Sequence, residues 1–158
     1  MYLDQVKTQL AEAGFVPPSA IRPCTWDEIL ALEQRLNLQL PAAYKEFLLW
    51  MGHGAGSLFR GSDVFYDDLD GLKEAAIELL RENGLTGYLP EDAFVFYMHQ
   101  GYQFDFLRTS EGDDPPLYHF GEGEGLTSWL QTYNHFSSFV VAAIAAHRGL
   151  RRHLNNPI

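Results

Sequence analysis

Apolar residues recur at helical spacing in two neighbouring segments between Thr25 and Gly56, and this pattern predicts two amphipathic helices. Thr25 and Glu28 have the spacing of a capping box, in which each side chain satisfies a free backbone N–H at the helix start. Pro41 suits the first position of the second helix, and Gly52 is expected to end it in a left-handed conformation. The apolar stripes are Ile29, Leu32 and Leu36, then Tyr44, Phe47, Leu48 and Met51.

The rest of the chain predicts three more helices and several short strands. Apolar stripes mark helices near the N-terminus, after Gly71 and after Asn134, whose side chain is expected to cap the last helix. This mixture predicts an α+β domain in which helices pack on one face of a mostly antiparallel sheet. Strands are expected at residues 57–60, 93–99, 102–107, 117–120 and 126–131.

The clearest strand signal is a hairpin of residues 93–99 and 102–107 around a two-residue turn. The face that carries His99 is the less polar one, so we expect it to meet the helices. In this register His99 and Asp105 point to opposite faces of the sheet. We therefore do not expect His99, Asp105 and His119 to converge as metal ligands.

Four motifs, in order along the chain, carry a family resemblance. They are Ile29-x-x-Leu32-Glu33 followed by Leu40-Pro41-x-x-Tyr44-x-x-Phe47-Leu48, RGSDVFYDDL at 60–69, HQGYQFDFLR at 99–108 and DDPPLYHFGEGEG at 113–125. From Thr25 to His147 the chain resembles the SUKH superfamily, the Smi/Knr-like domain first known from fungal cell-wall-assembly regulators. The last three motifs are similar to one bacterial branch. Many members carry Asn-Gly-Gly where this chain has Gly52-His53-Gly54.

We expect one domain with short extensions. Residues 1–24 are assigned to an N-terminal helix and Pro-rich extension, 25–147 to the SUKH domain and 148–158 to a polar tail. A chain of 158 residues can bury about 68–70% of its unfolded surface. The longest apolar run, 139–146, is far too short to cross a membrane, and no signal for export opens the sequence, so we expect a cytoplasmic protein.

Negative charge is concentrated in the middle of the chain. The net charge is −10, and residues 63–124 hold fifteen acidic but only three basic residues. Nucleic acid needs basic partners for its phosphates, so it is not an expected ligand. We expect no membrane partner either. A basic protein surface is the natural complement of such a region.

Three acidic loops, at 63–70, 111–114 and 122–124, carry most of the candidate partner-binding residues. The loops join carboxylates to aromatic rings, a combination typical of protein-binding surfaces, although simple solubility is the alternative explanation. The candidates are Asp63, Phe65, Tyr66, Asp67, Asp68, Asp70, Glu111, Asp113, Asp114, Tyr118, Glu122 and Glu124.

The sequence contains no recognisable motif for catalysis, for a cofactor or for a metal. The six histidines lack the spacing of zinc motifs, and one cysteine cannot build a thiolate cluster. Cys24 has no histidine near it in the sequence and is expected to be inert. A small-ligand or metal-binding domain would require His99, His119 and Glu122 to converge in a concave pocket.

The resemblance implies binding and not turnover, so we expect no enzymatic activity. Many bacterial members are implied to be immunity proteins, each neutralising a cognate secreted toxin that is often a nuclease. The fungal relatives imply the alternative, a scaffold or regulator inside the cell. The expected partner is therefore a cognate protein toxin or another basic protein.

Overall fold

The computed structural model of the protein describes residues 1–123 and 128–155, which form five α-helices and two antiparallel sheets. The predicted α+β class is confirmed. The helices are α1 (Asp4–Ala13), α2 (Trp26–Leu36), α3 (Ala42–Met51), α4 (Leu72–Glu82) and α5 (Phe136–Asn155). The strands are β1 (Ile21–Arg22), β2 (Gly54–Ala55), β3 (Ser62–Asp63), β4 (Ala93–His99), β5 (Gln103–Arg108), β6 (Leu117–Gly121) and β7 (Leu130–Tyr133).

The main sheet has five strands in the order β3-β4-β5-β6-β7, and each is antiparallel to its neighbours. A small second sheet pairs β1 with β2 and ties the chain before α2 to the chain after α3. No helix in the described part of the chain is long and apolar enough to cross a membrane.

The capping box at the start of α2 is confirmed. Glu28 N–H donates to the Thr25 hydroxyl at 3.3 Å, and Thr25 N–H donates to the Glu28 carboxylate at 2.7 Å. Pro41, predicted as the first helical residue, instead occupies the cap position just before α3. Sequence pattern thus locates both helices to within one residue.

Gly52 ends α3 for a different reason from the predicted one. Its φ is −59°, so it is right-handed, and the left-handed stop was wrong. A Cβ added there would lie 2.3 Å from the Cys24 sulfur and 2.6 Å from the Leu48 carbonyl oxygen. Cys24 N–H also donates to that carbonyl at 2.9 Å. Glycine is needed because the chain entering α2 crosses the end of α3 at this point.

The predicted hairpin forms, but its register was wrong. Val95 pairs with Phe106 as expected, whereas Tyr97 pairs with Asp105, and Phe96 is the extra residue of a bulge. The turn also has three residues, because His99 pairs with Gln103. A bulge shifts the side-chain alternation by one position, so His99 and Asp105 lie on the same face of the sheet.

The bulge also overturns the predicted contact with the helices. The rings that meet α3 belong to Phe94 and Phe96, which the expected register placed on the other side. Their centroids lie 4.8 and 5.9 Å from the Tyr44 ring. Phe96 further contacts Phe136 and Phe139 of α5, at 5.5 and 5.4 Å. These aromatic rings form the core between the sheet and the helices.

The N-terminal helix packs into the same core. Val6 and Leu10 of α1, and Leu3 just before it, are each at most 1% exposed. Glu46 of α3 holds the start of α1 by accepting a hydrogen bond from the Leu3 N–H and pairing with Lys7 at 2.7 Å. Residues 4–13 are therefore tied to the same packed unit as α3.

Three other expectations differ from the structure. Residues 57–60 form turns instead of a strand. The last strand runs from Leu130 to Tyr133, so residues 126 and 127 of the predicted segment lie outside the described residues. Helix α5 begins at Phe136 and extends through Asn155. Asn134 does not cap it, since its side-chain oxygen accepts a hydrogen bond from Gln131 at 2.9 Å.

We predict that Gly52→Ala destabilises the protein by about 1–3 kcal/mol, the range for overpacking a filled site. The added methyl group must displace the Cys24 sulfur or the end of α3. Urea unfolding measures the change. Gly149→Ala in α5 is the matched control, because nothing lies within 4 Å of its added Cβ. That change should stabilise by up to about 1 kcal/mol through helix propensity. Equal effects of the two variants would contradict the packing argument.

Candidate functional site

The first acidic loop divides its carboxylates between internal contacts and exposure. Asp68 accepts hydrogen bonds from two backbone N–H groups of its own loop, each at 3.2 Å. Asp70 pairs with Arg35 of α2 at 3.2 Å. Asp63 and Asp67 are exposed and make no side-chain hydrogen bond or ion pair with the described residues. These two carboxylates remain available to a partner.

The second acidic loop caps two helices. The Asp114 carboxylate accepts hydrogen bonds from the Ser137 backbone N–H at 2.9 Å and from its hydroxyl at 2.6 Å, at the start of α5. The backbone carbonyl of Asp113 accepts from Ala43 N–H at 2.8 Å, at the start of α3. The side chain of Asp113 is exposed. Neighbouring aspartates thus have different roles, since only Asp114 uses its carboxylate to cap a helix.

The aromatic candidates are partly buried and have partners within the molecule. Tyr118 donates a hydrogen bond to Glu111 at 3.0 Å. Tyr66 donates to the backbone carbonyl of Glu28 at 2.9 Å. Phe65 packs edge-on against a neighbouring phenylalanine. These three rings position the loops, and they offer a partner only part of their surface.

The second and third acidic loops lie at opposite ends of the sheet. Glu122 N–H donates to the carbonyl of Tyr102, the residue just before β5. Glu111 N–H donates to the carbonyl of Arg108, the last residue of β5. At about 3.4 Å per residue, these anchors are about 20 Å apart. Glu124 lies outside the described residues. A partner meets both loops only if it spans the length of the sheet.

An apolar groove of about 730 Å³, here the α3 groove, runs along the exposed side of α3. Trp26 and Trp50 line it, together with Tyr2 and, at its edge, Asp113. Both lysines of its lining are paired with glutamates at 2.7 Å. The pKa of Tyr2 is raised, first by desolvation and then by the negative charges of Asp113 and Asp114. Sequence reasoning missed this groove because its aromatic residues come from three separate parts of the chain: the N-terminus, α2 and α3.

A second concavity, of about 450 Å³, lies on the sheet and contains an acid–histidine pair. Asp105 is 8% exposed, and its carboxylate lies 2.6 Å from Nδ1 of His119. His99 shares this face of the sheet but bonds to the Ser62 hydroxyl at 2.8 Å. Glu122 is exposed in the third acidic loop. Among the described residues, His99, His119 and Glu122 do not gather as metal ligands.

Three potential metal ligands do gather beside the end of α3. One ligand atom each from Cys24, Glu28 and His53 lies within 4.8 Å of the other two. His53 Nε2 is 2.9 Å from the Glu28 carboxylate. This cluster is not apparent from sequence spacing, because His53 is far from Cys24 along the chain and the crossing at Gly52 brings them together.

The thiol in this cluster is not activated. Burial, followed by the negative charges of Glu28 and Asp67, raises the pKa of Cys24 to about 12. The pKa of the Glu28 carboxyl is lowered, chiefly by the hydrogen bond from the Thr25 backbone and then by His53. The unmetallated site therefore holds a protonated thiol beside an ionised carboxylate.

We predict that Asp114→Ala destabilises the protein by about 0.5–2 kcal/mol, because it removes a helix cap. Asp113→Ala should change stability by no more than about 0.5 kcal/mol, since its carboxylate is exposed and its backbone carbonyl is retained. Urea unfolding of the two variants gives the comparison. A loss at Asp113 as large as the loss at Asp114 would be inconsistent with the capping role.

We predict slow alkylation of Cys24 in the folded protein. At pH 8 a thiol with a pKa of about 12 holds about a thousandfold less thiolate than one with an ordinary pKa of about 8.5. The rate of reaction with iodoacetamide should therefore rise by about that factor or more when denaturant exposes the thiol. Similar rates in native buffer and in denaturant would show that the thiol is accessible and activated.

Comparison with known proteins supports the resemblance in the four motifs. The model of the SMI1/KNR4 family (SUKH-1) matches residues 23–142. These residues include α2, α3, α4, the sheet and the first part of α5. No curated protein matches the chain. Because the family model covers well over half of the sequence, the chain belongs to the SMI1/KNR4 family (SUKH-1).

Proposed function

We propose that this protein is a non-enzymatic binding domain that neutralises a basic protein toxin, in the manner of an immunity protein. Membership of the SMI1/KNR4 family supports a family-level role of this kind. The observation that carries the proposal is the charge of residues 63–124, with fifteen acidic and three basic residues. A cytoplasmic site of action fits a protein that protects the cell from an incoming toxin.

Part of this negative charge is carried by exposed carboxylates, which a partner could contact. Asp63, Asp67, Asp113 and Glu122 are exposed, whereas Asp68 and Asp114 are occupied by backbone N–H groups. Exposed charges of one sign steer a partner of opposite charge during diffusional encounter. A nuclease toxin suits this chemistry, because the cleft that grips phosphates is basic.

The α3 groove supplies the apolar part of the proposed interface. Trp26 is 49% exposed and Tyr2 is 45% exposed, and each offers a large ring at low entropic cost. Asp113 lies near the start of α3. Asp67 lies near Cys24, and Cys24 packs against the other end of α3. The two carboxylates are thus separated by about the length of the helix, about 15 Å. A helix that carries an aromatic groove and has an acidic group near each of its ends fits a basic protein surface.

We predict that neutralising these carboxylates slows association with the toxin. The partner for this test is a toxin domain sought in the neighbouring gene, where a secreted protein with a C-terminal toxin domain is expected under the proposal. The double variant Asp67→Asn, Asp113→Asn should lower the association rate constant, measured by stopped flow, several-fold at low salt. Raising the salt to about 1 M, where the Debye length is about 3 Å, should lower the rate at least tenfold for the unaltered protein.

The matched control is Glu12→Gln, Glu82→Gln, which removes two exposed charges outside the acidic loops. It should keep most of the association rate. An association rate that is independent of salt, or equal losses in both double variants, would refute steering by the acidic loops. Failure of the chain to bind the toxin at all would refute the immunity proposal.

A scaffold role inside the cell is the second candidate, and the apolar lining of the α3 groove favours it. If binding depends on the groove alone, Trp26→Ala should weaken partner binding while both charge variants bind normally. Under the immunity proposal, the variant Asp67→Asn, Asp113→Asn and the variant Trp26→Ala both lose binding, whereas the control Glu12→Gln, Glu82→Gln keeps it. Comparing the three variants with one partner therefore separates the two functions.

A further inference from the structure

We propose that Cys24, Glu28 and His53 form a binding site for Zn²⁺ or a similar divalent transition metal. This site lies beyond the toxin-binding function and does not depend on it. Thiolate, imidazole and carboxylate are the three ligand types that zinc prefers, and three protein ligands leave a fourth position for water or an incoming group. The ligand atoms already lie within 4.8 Å of one another.

The separations are close to those of a bound ion. Zinc bonds of about 2.0–2.3 Å in tetrahedral geometry place ligand atoms roughly 3–4 Å apart. His53 Nε2 and the Glu28 oxygen, now 2.9 Å apart, must open slightly to admit the ion, and the sulfur must approach.

The backbone holds the three ligand positions in place. Cys24 N–H donates to the Leu48 carbonyl at 2.9 Å, and His53 N–H donates to the Arg22 carbonyl at 2.8 Å. One oxygen of Glu28 is fixed at 2.7 Å by the Thr25 backbone, so the other is directed at His53. Such outer contacts orient metal ligands and raise affinity, typically by about 10–100-fold.

Gly52 makes room for the sulfur. With any side chain at this position, a Cβ would occupy a point 2.3 Å from Cys24 Sγ. The thiol therefore sits directly against the backbone that leads into His53. This close approach is what places a cysteine and a histidine of distant sequence position in one cluster.

The local charge favours a cation once the thiol proton leaves. Glu28 and Asp67 oppose ionisation of Cys24 in the unmetallated protein because both are negative. The same two charges attract a divalent ion, whose own charge stabilises the thiolate. Arg22 lies nearby, but its guanidinium donates to the backbone carbonyl of His53 and not to the ligand atoms. Binding releases the Cys24 proton to solvent as the sulfur–metal bond forms.

Titration of the full-length, reduced protein with Co²⁺ tests the site. Co²⁺ replaces Zn²⁺ in tetrahedral sites and gives a near-ultraviolet charge-transfer band when a thiolate binds it. We expect this band to saturate at one ion per chain and to be abolished by Zn²⁺. Zn²⁺ should also raise the melting temperature and slow the alkylation of Cys24.

The variants Cys24→Ser, His53→Asn and Glu28→Gln should each weaken Co²⁺ binding by at least about 10–100-fold. Cys24→Ser should also abolish the charge-transfer band. Glu28→Gln keeps an oxygen for the Thr25 cap, so it separates loss of a ligand from loss of folding. The matched control is His135→Asn, which removes an exposed histidine outside the cluster and should bind as the unaltered protein does.

Three results would overturn the proposal. One is a folded, reduced protein that shows no charge-transfer band at saturating Co²⁺. Another is binding that survives Cys24→Ser with unchanged affinity. The third is a loss of Co²⁺ affinity in His135→Asn as large as the loss in the three ligand variants, which would show that surface histidines bind the ion. Circular dichroism of each variant verifies that the fold is retained before metal is added.

Discussion

The packing of one aromatic ring, Tyr44, holds the two halves of the fold together. Its ring lies 4.8 Å from Phe94 in the sheet and 5.2 Å from Phe136 in α5, and it contacts Phe96 as well. Aromatic pairs of this kind add about 0.5–1.5 kcal/mol each beyond the area they bury. Because Tyr44 belongs to α3, these contacts fix the helix that carries the groove and the crossing at Gly52. The Tyr44 hydroxyl is buried and has no partner in the described part of the chain, which opposes this gain by about 1–3 kcal/mol.

Local sequence pattern was enough to locate most elements of the fold. The capping box at Thr25, the stripe of α4 and the β-rich run of β4 all depend on neighbours within a few residues. The failures have non-local causes. The bulge at Phe96 adjusts the strand to its packing against Tyr44 and α5, and no periodicity within the strand marks it. Gly52 is likewise explained by Cys24, which lies 28 positions earlier in the chain.

The candidate site was less accessible to sequence reasoning than the fold. Composition locates the excess of acidic residues, since charge can be counted. It could not tell which carboxylates are exposed and which satisfy the backbone, because Asp68 and Asp70 look alike in sequence but have different partners in space. The ligand cluster at Cys24 and the α3 groove could not be predicted from sequence either. Each requires side chains from segments that only tertiary structure brings together.

The pair Asp113 and Asp114 has a consequence for how such a protein diversifies. Asp114 is retained by folding, because its carboxylate holds the start of α5, and substitutions there would be selected against in any relative with this contact. Asp113 gives its backbone carbonyl to the start of α3, and its exposed carboxylate interacts with the Tyr2 hydroxyl at the edge of the α3 groove. Two neighbouring positions therefore tolerate substitution unequally. A change at Asp114 unties the start of a helix, whereas a change at Asp113 alters one exposed contact and needs no compensating change in the core.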